Sequence, residues 1–452
     1  MIASLFLFAL PVFAQETERE PLGRLTAYRV DHVETLDGDA LGKAVILVRD
    51  GVIERIGKTV IIPDGAVVKD FRGHGWTVMP PFTVSHASAF QGATRGRGRN
   101  GKYVGIDTVW LADNELLKDY LSHGVLLAGI DPPGTGIPGR TSVIRMTAHA
   151  PVPEAVVQDL HLKLTLDSNR SAKDLLRNGL KDADAAIKKE EKAKVDWEQA
   201  RKDWAEKQKT KAEAEKKEGS EKEASKKEGP ASAAKENDKE QKEEEKEPPK
   251  EFTAPKIDSQ LSPVVDWVRK ERVAQIWLSD AAEWVHWNDI LKDRELPWEL
   301  VLSHTSSHNF HEVVEELASA GVRIDLPARL AMQTRYTRIH INLAAELVDA
   351  GLEKLVLRPS SSGVSGLSSW RVGVADLVRE GLDRAIALKS MTIEPAASMG
   401  QEEVVGPLVV GMAANFIFVS GDPLDPLAEV VLVVEDGKTV YDRELEEQEE
   451  GR

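Results

Sequence analysis

The chain has 452 residues, of which 41% are hydrophobic and 30% charged, and 59 Lys and Arg against 75 Asp and Glu give a formal net charge of −16. Such an acidic chain would repel phosphates, which argues against a nucleic-acid partner. The absence of cysteine excludes disulfide, zinc-finger, iron–sulfur and thiol-nucleophile chemistry. No apolar run reaches the roughly 18 residues of a membrane-spanning helix, so we expect no transmembrane segment.

The first residues have the character of an export signal. An apolar run of signal-peptide length begins at Ile2 and ends at Ala14, with Val12 two residues before its end and a polar stretch behind it. We therefore expect residues 1–14 to be a signal peptide and the protein to be exported to a periplasm or to the extracellular space. The usual basic residues before the run are missing, and a buried N-terminal helix is the alternative.

Strand and hairpin patterns occur at both ends of the chain. Residues 24–78 contain apolar and alternating runs on either side of the turn Asp50-Gly51, which predicts a β-hairpin. Residues 404–443 contain similar runs around Asp436-Gly437. A meander of about 50 residues is too small to bury both of its faces. We therefore predict one composite β-sandwich that both chain ends build together.

The middle of the chain, residues 79–403, alternates short apolar strands with helices of 10–15 residues. This alternation is typical of βαβ units and a parallel sheet. The predicted fold class is therefore α/β, with a TIM-type (β/α)8 barrel inserted into the composite β-sandwich. In such a barrel the functional groups lie at the C-terminal ends of the strands.

A highly charged segment, residues 181–256, interrupts this alternation. Within it, residues 188–251 contain 19 Lys and Arg and 20 Asp and Glu. Apolar residues at helical spacing before and at its start predict a helix that leaves the barrel domain and continues as a disordered polyampholyte. A solvated surface insertion and an arm that binds a partner are the two interpretations.

A second unusual segment is the basic, glycine-rich loop at residues 91–101, which directly follows the strand that ends near His86. This loop is a candidate for a lid over the barrel or for contact with an anionic ligand. An isolated mobile loop is the alternative.

Several motifs together resemble the amidohydrolase superfamily, and most closely its imidazolonepropionase-like members. These motifs are VRDGVI at 48–53, GHGWTVMP at 73–80, GTGIPGRTSVI at 134–144, ALKSMTIEPA at 387–396 and GPLVVGMAANF at 406–416. Apart from the predicted signal peptide and the charged insertion, the resemblance spans almost the whole chain. It implies the same barrel and composite sandwich that the chain-end patterns predict.

The resemblance also implies a divalent metal ion, such as zinc, that ionises water for the hydrolysis of non-peptide C–N bonds. Such an ion needs three or more histidine or carboxylate ligands. The family's paired histidines on the first strand fall on His86 and Ser88, and its fifth-strand histidine falls on Ser279. Only the sixth-strand ligand, His304, matches again. The general-base aspartate of the eighth strand has no counterpart, and Arg358 lies close to its position.

An alternative to the loss of the metal site is that other residues have replaced the missing ligands. Asp131 follows the second strand and Asp280 follows the fifth, so that with His86 and His304 they would form a set of two histidines and two aspartates. The carboxyl ends of parallel strands meet at one edge, which favours such a set. However, aspartate at a strand end is also common turn chemistry.

The sequence therefore predicts a protein of the amidohydrolase, C–N hydrolase lineage whose metal site is largely missing, and hence a weakly catalytic or non-catalytic paralogue. No cofactor is expected in that case. Its expected partners are an active paralogue, a second copy of this chain, or a small-molecule ligand. An active zinc hydrolase with relocated ligands and an interaction protein that uses the charged insertion are the two alternatives.

Overall fold

The computed structural model describes residues 23–90, 98–108, 114–146, 154–166, 170–224, 248–292, 294–303, 309–332, 338–361 and 363–450. The predicted signal peptide, most of the basic loop and His304 lie outside these residues. Within the described ranges, no helix is both long enough and apolar enough to span a bilayer.

Strands dominate the two ends of the chain, whereas strands and helices alternate between them. The strands are β1 (Leu25–Val33), β2 (Leu41–Arg49), β3 (Val52–Gly57), β4 (Val67–Asp70), β5 (Thr77–Met79), β6 (Phe82–Val84), β7 (Gly98–Arg99), β8 (Val125–Ile130), β9 (Gly136–Arg140), β10 (Ser142–Arg145), β11 (Glu154–Val157), β12 (Leu162–Thr165), β13 (Ala274–Leu278), β14 (Trp298–Leu302), β15 (Ile324–Pro327), β16 (Ala331–Met332), β17 (His340–Ile341), β18 (Leu355–Arg358), β19 (Phe416–Val419), β20 (Val430–Glu435) and β21 (Lys438–Asp442). The helices are α1 (Asn114–Ser122), α2 (Arg170–Ala224), α3 (Ser262–Val268), α4 (Ala281–Leu291), α5 (Val314–Ser319), α6 (Leu343–Asp349), α7 (Val364–Arg379), α8 (Arg384–Met391), α9 (Ile393–Ser398) and α10 (Arg443–Glu450).

Strands from the two chain ends form one eight-stranded sheet in the order β21-β20-β19-β5-β1-β2-β3, with β4 paired to β1. The two halves join where β5 pairs antiparallel with β19. Both predicted hairpin turns are present, since Asp50, Gly51, Asp436 and Gly437 all have positive φ, as a two-residue turn of this type requires. Strands from both ends of the chain therefore share one sheet.

The central part of the chain is a mixed α/β structure with a parallel core. Strands β12, β13, β14, β15 and β18 are parallel neighbours in one seven-stranded sheet, and β6 pairs parallel with β8 in a four-stranded sheet. Every residue of β6, β8, β15 and β18 is buried. Such continuous burial is expected of parallel strands that are covered on both faces.

A buried polar network lies at the amino ends of these parallel strands. Glu299 accepts hydrogen bonds from Arg323 Nη1 at 2.6 Å, from Ser398 Oγ at 2.6 Å and from Gln275 Nε2 at 3.3 Å. Burial alone would raise the pKa of Glu299, but the charges of His161 and Arg323 hold it below its usual value. Glu299 is therefore a buried carboxylate with three hydrogen-bond partners at the amino ends of the strands.

Helix α2 begins as part of the domain and then leaves it. Its first turns bury apolar side chains against the core at Ala172, Leu176, Leu180 and Ala183. Further along, Trp197 Nε1 donates to the carbonyl oxygen of Pro249 at 2.9 Å, and Arg201 Nη1 donates to that of Pro248 at 3.5 Å. The chain therefore returns to the helix near Arg201. The residues between 205 and 210 are exposed on every side of the helix.

We expect that the distal part of the insertion can be removed without loss of stability. Deleting residues 206–246 and joining the ends with a short Gly-Ser linker should change the free energy of unfolding by less than about 0.5 kcal/mol, because the side chains described in this range, 206–210, are exposed. Denaturant unfolding measures the change. The matched control is Leu180→Ala in the buried half of the same helix, for which a loss of about 2–4 kcal/mol is expected. A comparable loss in the deletion would contradict the prediction.

Candidate functional site

Charged side chains from five parallel strands or their ends meet in one buried group, which we call the strand-end cluster. His86 lies two residues after β6, and Asp131 directly follows β8. Lys163 lies in β12, Asp325 in β15, and Arg358 is the last residue of β18. Carboxyl ends of neighbouring parallel strands lie at the same edge, which explains why residues so far apart in sequence meet.

His86 bridges the two sheets through both nitrogens of its ring. Its Nδ1 lies 2.9 Å from Asp131 Oδ2, and its Nε2 lies 3.4 Å from Asp325 Oδ2. The His86 side chain is only 4% exposed. Burial alone would lower its pKa, but the charges of Asp131 and Asp325 raise the pKa of His86 to about 9. The two carboxylates therefore favour the doubly protonated form of the ring, in which both nitrogens donate.

Arg358 is the second cation of the cluster, and its side chain points inward. Its Nη1 donates to Asp325 Oδ1, and its Nη2 donates to the carbonyl oxygens of Leu302, at 2.5 Å, and Ser303, at 3.3 Å. Burial alone would raise the pKa of Asp325, but the charges of Arg358 and His86 hold it below its usual value. The guanidinium thus faces the carboxylate that also faces His86.

Lys163 and Trp277 complete the cluster. Lys163 Nζ lies 3.9 Å from Asp131 Oδ2 and 4.2 Å from the centre of the Trp277 ring. Arg358 Cζ lies 5.6 Å from the same ring, and the His86 ring packs edge-on against it at 4.7 Å. An indole face attracts cations, most strongly where water is excluded. Burial lowers the pKa of Lys163, and the carboxylate of Asp131 acts in the opposite direction.

The donor set of this cluster does not fit a divalent metal ion. Both ring nitrogens of His86 face carboxylates, and each carboxylate faces cationic side chains. A metal ion bound by Asp325 would have to displace the buried guanidinium of Arg358 from that carboxylate. Over the ranges that the structure describes, no group of three or more histidine, aspartate or glutamate side chains is arranged to hold a metal ion.

The structure brings together two of the four predicted ligands. His86 and Asp131 are in direct contact, as the relocated-ligand set requires. Asp280 has a different role, since its Oδ1 accepts a hydrogen bond from the backbone N–H of Glu283 at 3.0 Å and so caps helix α4. This is the turn chemistry that the sequence offered as the simpler explanation. His304 lies outside the described residues.

Sequence reasoning missed Asp325 and Lys163, which pair with other charged residues of the cluster. Each is a charged residue within an otherwise apolar strand, in the sequences RIDLP and HLKLTL. Lys, Glu, Arg and Asp are almost never fully buried unless they are paired. A lone charge inside a buried-strand pattern was therefore the signal that pointed to a partner in the core.

The raised pKa of His86 predicts a specific dependence of stability on pH. The imidazole titrates near 6.5 when unfolded and at about 9 when folded, so protonation stabilises the folded state fully below about pH 6.5 and this contribution is lost as the pH rises through 9. We expect the difference in unfolding free energy between the natural protein and His86→Gln to shrink by about 3 kcal/mol across that interval. Urea unfolding at several pH values tests this, and a difference independent of pH would contradict it.

No protein-family profile matches the chain, and no curated protein matches it by sequence. Among solved structures, an amidohydrolase from Thermotoga maritima MSB8 is 18% identical, with a TM-score of 0.67 over 92% of this chain and 100% of that chain. The predicted resemblance to amidohydrolases is thus confirmed at the level of the fold. A β-aspartyl dipeptidase from Fervidobacterium islandicum AW-1 is 13% identical, with a TM-score of 0.48 over 94% of this chain and 97% of that chain, and is too distant to add to the argument.

Proposed function

We propose that this chain is an amidohydrolase-type protein that does not catalyse metal-dependent hydrolysis of C–N bonds and that uses its strand ends to bind a small ligand. In this proposal the parallel strands close into a TIM-type barrel with the strand-end cluster at its mouth. The contact of His86 with Asp325 supports closure, because it joins the four-stranded sheet to the seven-stranded one.

The observation that carries the proposal is the position of the Arg358 guanidinium. It is buried, it faces Asp325, and it donates to two carbonyl oxygens at the end of β14. A divalent ion about 4 Å from this charge would be repelled by roughly 8 kcal/mol at an effective dielectric constant near 20. The carboxylates of Asp131 and Asp325, which could serve as metal ligands, instead pair with basic side chains of the same protein.

The proposal predicts that the purified protein holds far less than one zinc ion per chain. The test is dialysis of untagged protein against zinc-containing buffer, followed by elemental analysis and a thermal unfolding scan with and without zinc. We expect no stoichiometric zinc and no zinc-dependent rise in Tm. Stoichiometric zinc that is lost in Asp131→Asn would overturn the proposal.

The competing function is an active hydrolase with relocated ligands, and the contact between His86 and Asp131 is the observation that favours it. The same experiment separates the two, since His304→Ala and Asp131→Asn should each remove bound zinc from a hydrolase of that kind. In the non-catalytic protein neither variant should change the metal content. Turnover of a non-peptide amide that chelators abolish would favour the hydrolase.

A non-catalytic member can still act with a partner. We propose an active paralogue or a second copy of this chain as the partner. The charged insertion is proposed as an additional binding segment. We also propose that the protein is exported. Light scattering of the purified chain tests self-association. Mass spectrometry of the mature N-terminus tests removal of residues 1–14.

A further inference from the structure

A cleft with a volume of about 410 Å³ lies beside the eight-stranded sheet. Its walls are the segment that connects β4 to β5, the start of β20, the end of β21 and the first turns of α10. A volume of this size is typical of a site for a small molecule. The strand-end cluster belongs to strands of the other two sheets, so the cleft is a separate feature of the molecule.

A row of three paired residues leads from the core into the cleft. Phe418 on β19 pairs with Leu432 on β20, and Leu432 pairs with Asp442 at the end of β21. Directly opposed residues of antiparallel strands place their side chains on the same face of a sheet. Phe418 and Leu432 are buried, whereas Asp442 is half-buried. The row therefore begins in the apolar core and ends with a carboxylate in the cleft.

Aromatic rings form one wall of the cleft. The centre of the Trp76 ring lies 5.7 Å from that of Phe71, 4.5 Å from that of His74 and 6.2 Å from that of Phe418. Trp76 and Phe71 are half-buried and His74 is exposed, so part of this wall faces solvent. Aromatic faces, and those of tryptophan most strongly, attract ammonium groups, and quaternary ammonium ligands are recognised in this way.

The opposite wall carries four carboxylates and one guanidinium, that of Arg443. Glu447 pairs with Arg443 at 2.8 Å, and Asp70 pairs with two arginines outside the lining of the cleft. Within the described ranges no basic side chain pairs with Asp442 or Glu444, and Asp442 accepts the backbone N–H of Glu444 at 3.1 Å. The amino end of α10 adds a partial positive charge of about half an elementary charge, which two carboxylates outweigh. The cleft therefore has an excess of negative charge.

We propose that this cleft binds a small organic ammonium ion, which packs against the rings of Phe71 and Trp76 and faces the carboxylates of Asp442 and Glu444. The apolar side chain of Leu432 would contact its alkyl groups. An inorganic cation is a poorer fit, since over the described part of the chain no three acidic or histidine side chains are arranged to hold a metal ion. The inference goes beyond the proposed function and uses none of the residues that carry it.

The test measures binding by isothermal titration calorimetry and saturation-transfer NMR. The probes are tetramethylammonium chloride, choline chloride and the neutral alcohol in which carbon replaces the ammonium nitrogen of choline. Sodium chloride keeps the ionic strength equal throughout, because salt screens charge at an exposed site.

Two variants remove the two kinds of contact. Trp76→Leu removes the ring, and Asp442→Asn combined with Glu444→Gln removes the two charges but keeps an acceptor oxygen for the start of α10. The matched control is Glu295→Gln combined with Asp349→Asn, which removes the same charge at two exposed positions elsewhere. Because Glu444 is exposed and Asp442 only half-buried, the carboxylate variant decides the outcome even if Trp76→Leu fails to fold.

We expect saturable binding of at least one of the two ammonium ions, with the neutral alcohol bound about tenfold more weakly. The affinity for the ammonium ion should fall about tenfold in the carboxylate variant and about fivefold in Trp76→Leu, and it should be unchanged in the control. Three results would overturn the inference: no saturable binding of either ion, equal binding of the neutral alcohol, or an equal effect of the carboxylate variant and its control.

Discussion

Replacing Asp325 by Asn should destabilise the protein by about 3–5 kcal/mol, because the change leaves Arg358 and His86 buried without the carboxylate that both of them face. The side chains are nearly equal in volume, so packing is conserved and the loss reports on charge. Guanidinium chloride unfolding, with an unchanged m-value, measures the effect.

Two further variants test the origin of that loss. Asp349→Asn changes an exposed carboxylate at the end of α6 and should alter stability by less than about 0.5 kcal/mol. The double variant Asp325→Asn with Arg358→Gln should be less destabilised than the sum of the two single variants, because the second change removes the stranded cation. Strict additivity would show that Asp325 and Arg358 do not form a pair in the folded protein.

Replacing Glu299 by Gln should cost about 2–4 kcal/mol at the opposite end of the same strands. The amide keeps the size of the side chain and one acceptor oxygen, but it loses the charge that Arg323 faces. Urea unfolding measures the loss. Glu295→Gln is the matched control, since Glu295 is 94% exposed and should tolerate the change. An equal effect in both variants would show that the network at the amino ends carries no buried charge.

Local patterns predicted the strands well because their signals lie within a few residues. The apolar run 125–130 is strand β8, and the run 416–419 is strand β19. The two Asp-Gly turns were predictable because the hairpin geometry requires positive φ at adjacent residues. The role of Asp280 could also be inferred from sequence, because aspartate is a preferred residue at the N-cap position between a strand and a helix.

The strand-end cluster could be predicted only in part. His86 and Asp131 follow strands and were therefore visible as candidates, but Asp325 and Lys163 lie inside strands. Their partners depend on which strands are neighbours, and β15 lies beside β18 across an intervening segment that contains two short strands and a helix. The sequence placed Arg358 close to the position of the missing eighth-strand aspartate. Only the arrangement of the strands shows that its guanidinium faces a carboxylate.

Basic side chains accompany the missing metal ligands in the strand-end cluster. A site that had merely lost histidines would leave carboxylates facing one another, and burial would then keep one of them protonated. Here His86, Lys163 and Arg358 supply positive charge at the same place. A buried ionic network is weak evidence for added stability, because desolvation opposes the attraction. Three basic side chains therefore face the two carboxylates within the protein interior.

The pairing of the two chain ends has a consequence for biosynthesis. Tyr28 donates through its hydroxyl to the carbonyl oxygen of Gly437, a residue 409 positions later, and β5 pairs with β19. While the ribosome is still translating the central region, β5 has an open edge without its neighbour. Open strand edges recruit other chains and non-local pairing is slow, so nascent or truncated chains should depend on chaperones until the final strands emerge.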